Sequence, residues 1–170
     1  VRHLAGLGRR RIGLISPPSN STAGLDRRNG FLDGLTEMEL DIDGRIAEGN
    51  WTEESGRVAM EGLLTSSTPG PDAVFVGSDR MAVGALRAIR EAGLSCPDDI
   101  ALVSFDGILP PDQTMPRLTS VAQPVAEVGE RAARLLQSVV AGTVTTPEHV
   151  VFPTRLVIRE SCGSGETNGA

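Results

Sequence analysis

The chain has 170 residues, the size of one domain, and its 39% apolar residues are enough to fill a single core, which excludes a multidomain enzyme within this length. All 16 basic residues are arginine and 22 acids leave a net charge of -6, so these residues as a unit are not expected to hold a nucleic-acid backbone, which needs a surplus of cation on one face. Aromatics make up only 3%, with no Tyr and a single Trp, so the core must be aliphatic and Trp51 is the main stacking candidate.

In chain order, Leu4 and Leu7 followed by Gly8 read as the last turn of a helix with its C-terminal glycine. The start at Val1, with neither Met nor a signal peptide, reads as a cut inside a larger protein. A first β-rich run, 11–16, carries Ile12, Leu14 and Ile15, and the helical stretch after it places Leu25, Phe31, Leu32 and Leu35 on one side. A weaker run at 45–48 precedes Gly56, Ala59, Met60, Leu63 and Leu64 at helical spacing. Residues 72–77 form a nearly continuous apolar strand. The stretch 79–94 carries Met81, Ala82, Ala85, Leu86 and Ile89 before Gly93 stops it, and 100–105 is another apolar strand.

A loop with Pro110, Pro111 and Pro116 leads to a short strand at 119–123. It is followed by a periodic helix with Val125, Val128, Ala132, Leu135, Leu136 and Val139 on one face, ending near Gly142. A last strand is predicted at 149–159, and the small, polar residues 161–170 are predicted to be a disordered tail. Strands apolar on both faces, alternating with amphipathic helices, predict an α/β doubly wound parallel sheet covered on both sides.

Ligands of such sheets bind beyond the carboxyl ends of the strands. The residues there are Ser16-Pro17-Pro18, Gly49-Asn50-Trp51, Gly77-Ser78-Asp79 and Phe105-Asp106-Gly107, with Arg27 on the first helix able to lean over the same edge. A carboxylate, an arginine fork and an indole face suit a polyhydroxylated ligand: the charged groups take hydroxyl pairs and the indole covers an apolar face. The same residues also read as structural ones, with Asp79 the N-cap of its helix, Asp106 a turn residue and Trp51 a half-buried wall.

Catalytic patterns are missing. There is no G-x-S-x-G elbow, no P-loop and no G-x-G-x-x-G after a strand, so neither an enzyme nor a bound cofactor is expected. His3 and His149 stand at opposite ends of the chain and read as surface residues. Asp41, Asp43 and Gly44 lack the spacing of a calcium loop and read as a solvated turn, so no metal site is predicted. Arg9-Arg10-Arg11 reads as solvated or ion-paired. Cys96 and Cys162 lack any C-x-x-C or His partner pattern and read as free thiols suited to a reducing, cytoplasmic compartment. No apolar run approaches the roughly 18 residues of a membrane span.

Several segments, taken together, carry a family resemblance. They are His3-Leu4 before Gly8-Arg9-Arg10-Arg11-Ile12-Gly13-Leu14-Ile15, Arg27-Arg28-Asn29-Gly30-Phe31, Ser78-Asp79-Arg80-Met81-Ala82-Val83-Gly84-Ala85, Val103-Ser104-Phe105-Asp106, and Pro116-Arg117-Leu118-Thr119-Ser120-Val121. In this order and spacing, covering residues 1 to about 160, the chain resembles the C-terminal part of a LacI-type (lactose and purine repressor) transcription regulator.

The resemblance implies one lobe of a two-lobed, type I periplasmic-binding-protein-like domain with flavodoxin-like strand order. It holds a small effector, sugar or nucleoside-like, in the cleft between lobes. It assigns 1–123 and 148–160 to the C-terminal lobe and gives the segment 124–147 to the N-terminal lobe. There the apolar face of the periodic helix would find its partner; without it, the helix folds back, pairs with a second copy or is poorly ordered. Arg27, Trp51 and Asp106 match effector-contacting positions. Ser78 stands where Asn is common, and Gln123 matches a polar residue at the crossover. Val83 and Arg87 fall on the helix that contributes to a homodimer interface, and operator DNA is reached only through a helix-turn-helix headpiece outside these residues. A periplasmic sugar-binding protein of a transporter shares the fold and is the alternative.

Overall fold

In the computed structural model, residues 1–41, 45–66, 69–143 and 149–164 are described. Six strands form one sheet: β1 (Ile12–Ser16), β2 (Ile46–Glu48), β3 (Ala73–Val76), β4 (Ala101–Asp106), β5 (Thr119–Ala122) and β6 (Arg155–Val157). Their order is β2-β1-β3-β4-β5-β6. The first five are parallel, in the flavodoxin-like order expected, and β6 joins the edge antiparallel to β5. Five helices accompany them: α1 (Arg2–Gly6), α2 (Thr22–Glu37), α3 (Glu53–Ser66), α4 (Asp79–Glu91) and α5 (Val125–Val140).

The apolar strands supply two cores because successive residues point to opposite faces. Ile15, Val74, Val76 and Leu102 pack under α3 and α4, against Met60, Leu63, Met81, Ala85 and Ile89. Ile12, Leu14, Ala73, Ala101 and Val103 pack on the other face against Leu4 of α1, Phe31 and Leu35 of α2, and Cys162. Helices α3 and α4 touch through glycines. A Cβ at Gly56 would run into the backbone of Met81, and one at Gly84 into the backbone carbonyl of Glu53.

The C-terminus departs from expectation. The last strand is only Arg155–Val157, and a 3-10 turn, Glu160–Cys162, follows it with Ser161 and Cys162 fully buried, so the predicted tail does not begin at 161. Ser161 explains the anchoring: its hydroxyl donates to Leu102 O (2.6 Å) and accepts from Thr119 N (2.9 Å), two buried backbone groups. Residues 165–170 of the predicted tail lie outside the described ones, as do Asp43, Gly44 and residues 144–148 at the end of the crossover.

His3 also differs from a plain surface residue. It is partly buried, with Nε2 3.3 Å from Cys162 Sγ, because α1 and the 3-10 turn share one core. Burial pushes its pKa below the ordinary value. Cys96 and Cys162 are free thiols as read, and burial pushes the Cys96 thiol up to about 12.

Helix α5 forms as its periodicity predicts, but none of its residues is buried. Val125, Val128, Leu136, Val139 and Val140 are all exposed, so this helix does not fold back on the sheet.

Candidate functional site

Arg27, Trp51, Asp106 and Gln123 converge at the carboxyl ends of the strands. Arg27 projects from α2, where Ser21 caps the N-terminus by accepting from Gly24 N. Its Nη1 donates to Gly77 O (2.6 Å), at the end of β3, and its Nη2 donates to Asp106 Oδ1 (3.1 Å), at the end of β4. The guanidinium carbon lies 4.0 Å from the Phe105 ring centroid and 5.4 Å from that of Trp51. The fork is thus held by two acceptors and two aromatic faces of the chain itself. The pair is largely enclosed, with side-chain exposures of 12% for Arg27 and 16% for Asp106.

Asp106 is held from the other side by Gln123, whose Nε2 donates to the same Oδ1 (3.0 Å) and whose backbone N–H donates to Asp106 O (3.0 Å). Asp106 has φ 113 and Trp51 φ 71, values rare for residues with a Cβ, and strain of this kind persists where surrounding structure enforces it. Burial pushes the Asp106 carboxyl above its ordinary pKa and the Asp79 carboxylate adds to the rise; the Arg27 guanidinium and the Asp79 backbone amide oppose it.

Ser78 stands beside this cluster with its hydroxyl already engaged. It is the N-cap of α4, accepting from Met81 N (3.2 Å), and Asp79, expected in that role, is the first residue of the helix. Val83 and Arg87 lie on the outer side of α4, away from the sheet. They line a separate cavity of about 350 Å³ together with Gln113, Met115 and Pro116, and Arg87 Nε donates to Glu91 (2.7 Å).

Two features of the site are not legible as such in the sequence. Phe105 appears only as a neighbour of Asp106, yet it carries the Arg27 guanidinium. Asp79 is buried and receives four hydrogen bonds, from Ser104, Ser120, Ile108 and Leu109. The available signal is Ser104 and Ser120, one in each of two adjacent buried strands, since buried hydroxyls require a polar partner.

An open groove of about 790 Å³ adjoins the cluster. It runs from Arg27, Phe105 and Gln123 along the sheet, past Phe75, Val103 and Val121, to Val1 and Leu4. Among the described residues, no three or more His, Cys, Asp or Glu gather as a metal site would require, and no helix is long and apolar enough to cross a membrane.

A mostly parallel six-stranded sheet of this order places the chain in the α/β class of periplasmic-binding-protein-like domains, and comparison with known proteins agrees. Residues 1–162 match the periplasmic binding protein-like domain, and the chain belongs to that family. It is 37% identical over 162 residues to the HTH-type transcriptional regulator CelR of Thermobifida fusca, covering 95% of this chain and 47% of that protein. It is 34% identical over 165 residues to the HTH-type transcriptional repressor PurR of Escherichia coli O1:K1 / APEC, covering 96% and 48%. Among solved structures, a transcriptional regulator CelR–cellobiose complex superposes with TM-score 0.88 at 37% identity over 94% of this chain and 49% of that one. The lac repressor dimer bound to operator and the anti-inducer ONPF gives 0.84 at 29% identity, covering 94% and 55%. The chain spans about half the length of the curated relatives it matches.

Proposed function

We propose that this chain is the effector-sensing lobe of a LacI-type transcription regulator and that its effector is a sugar. The observation that carries the reading is the Arg27–Asp106–Gln123 cluster beside Trp51 at the carboxyl ends of parallel strands. Arg27 and Asp106 take a pair of ligand hydroxyls, the indole of Trp51 covers an apolar ring face, Gln123 supplies a further amide, and Ser78 fixes the helix end beside them. The likeness to a CelR–cellobiose complex supports a saccharide over a nucleoside-like effector. The relatives named are regulators, which speaks against a transporter's binding protein.

On this reading residues 1–123 and 148–162 form one lobe, the second segment reaching through the buried Ser161 and Cys162, and 124–147 cross to a second lobe that covers the apolar face of α5. The protein is cytoplasmic and non-catalytic, and works as a homodimer joined in part through Val83 and Arg87. It touches operator DNA through a headpiece outside these residues. Effector binding shifts the two lobes between arrangements of different operator affinity, a coupling typically worth about 1–3 kcal/mol.

The test is a titration of the whole polypeptide carrying these residues with cellobiose and a panel of other sugars and nucleosides, read by Trp51 fluorescence. A saccharide is expected to change the signal saturably, and Arg27→Ala and Asp106→Ala to abolish the response. A response that survives both substitutions overturns the site.

A further inference from the structure

Ser78 already caps α4, so the Asp79 side chain is free for another task. It is 1% exposed and turns inward. Its Oδ1 accepts from Ser104 Oγ (2.6 Å) and Ser120 Oγ (2.8 Å), residues paired across β4 and β5. Its Oδ2 accepts from the backbone amides of Ile108 (2.8 Å) and Leu109 (3.3 Å). Ser120 Oγ also accepts from Gly107 N (3.1 Å). The three residues that follow Asp106 are therefore all tied, directly or through one serine, to this one carboxylate.

Asp106 needs such a tie. Its φ of 113 is unfavourable for any residue with a Cβ and lasts only if its neighbours leave no alternative. We propose that Asp79 is a positioning residue for ligand binding: by holding Gly107, Ile108 and Leu109 it forces the Asp106 backbone into the conformation that aims its carboxylate at Arg27. This inference rests on Asp106 being a ligand contact, as proposed above. Asp79 itself is sealed off from solvent beneath the loop and acts through Asp106. Because Asp79 is also the first residue of α4, a ligand pulling on Asp106 pulls on the end of the helix that carries Val83 and Arg87.

Asp79→Asn tests this. The amide keeps the volume but only one of its two ends accepts: with its oxygen toward Ile108 and Leu109 it offers those amides a weaker, neutral acceptor in place of the carboxylate, and in the flipped orientation it offers them none. Hydrogen exchange is expected to quicken at Ile108 and Leu109 while the middle of α4 stays protected. Cellobiose affinity of the whole polypeptide, read by Trp51 fluorescence, is expected to fall at least about ten-fold. In an Asp106→Asn background, where binding is weakened but still measurable, the same substitution is expected to add less than about two-fold, whereas general destabilisation would add in full.

Unchanged affinity in Asp79→Asn, with binding intact in the unsubstituted protein, overturns the inference alone. Absence of binding by the unsubstituted protein across the panel overturns the functional reading and the inference with it. If Asp79→Asn does not fold, Ser120→Ala decides, since it cuts the link from Gly107 to Asp79. Affinity equal to the unsubstituted protein then counts against the role of Asp79.

Discussion

Arg27 Nη2 and Asp106 Oδ1 meet at the sheet's carboxyl edge, 3.1 Å apart, and the same guanidinium is claimed by the carbonyl of Gly77 and the ring of Phe105. A planar fork satisfies all three; a lysine ammonium does not. Arg27→Lys is therefore expected to weaken saccharide binding by about ten-fold or more, from the loss of a charge-assisted hydrogen bond and of the stacked plane, with little change in thermal stability. Parallel titration and melting experiments check both halves.

Acidification is expected to weaken binding earlier than for an exposed aspartate. Burial raises the Asp106 pKa, so its carboxylate gains a proton while the solution is still above the ordinary aspartate value of 3.8. Affinity should be flat near neutral pH, fall as pH drops through the raised value, and become pH-insensitive and weak in Asp106→Asn. For folding the sign is opposite. An acid with a raised native pKa contributes stability that is present below its unfolded value and lost as pH rises through its folded one. Asp106→Asn is thus expected to match or exceed the parent in stability at neutral pH, as denaturant titrations at several pH values will show.

Gly84 sits where the backbones of α3 and α4 come together, and a methyl group there meets the Glu53 carbonyl. Gly84→Ala is expected to cost about 1–3 kcal/mol or more by forcing the two helices apart, despite the better helix propensity of alanine. The measurement is the shift in denaturant midpoint. A neutral result would mean that the two helices separate at little cost.

Ser161→Ala removes the one side chain that serves both Leu102 O and Thr119 N. Two buried backbone groups then lose their partner, and stability should fall by about 1–3 kcal/mol. Truncation after Arg159 is expected to cost more, since it also removes Cys162 from its core.

The alternation of apolar strands and amphipathic helices made the fold readable, because a sheet covered on both faces leaves its strands little choice but Ile, Val, Leu and Ala. Arg27, Trp51 and Asp106 were readable as candidates because they follow strands directly or face that edge. What escaped was long-range. Ser161 looks like part of a polar tail until Leu102 and Thr119 are beside it, and Asp79 looks like a cap until Ser104 and Ser120 meet it across the sheet. Val150 and Val151 have strand-like side chains, which makes the last strand look longer than Arg155–Val157, yet both are exposed and lie outside any strand.

The pairing of β5 with β6 sets Ala122 opposite Arg155. Directly facing residues of an antiparallel pair stand only about 4.5–5.5 Å apart, so everything between them leaves and re-enters the sheet through one narrow doorway. The described residues between them, 124–143 and 149–154, add no strand to the sheet, so closing the hairpin with a short turn, or splicing in a foreign domain with neighbouring ends, is expected to leave the order of the other strands unaltered.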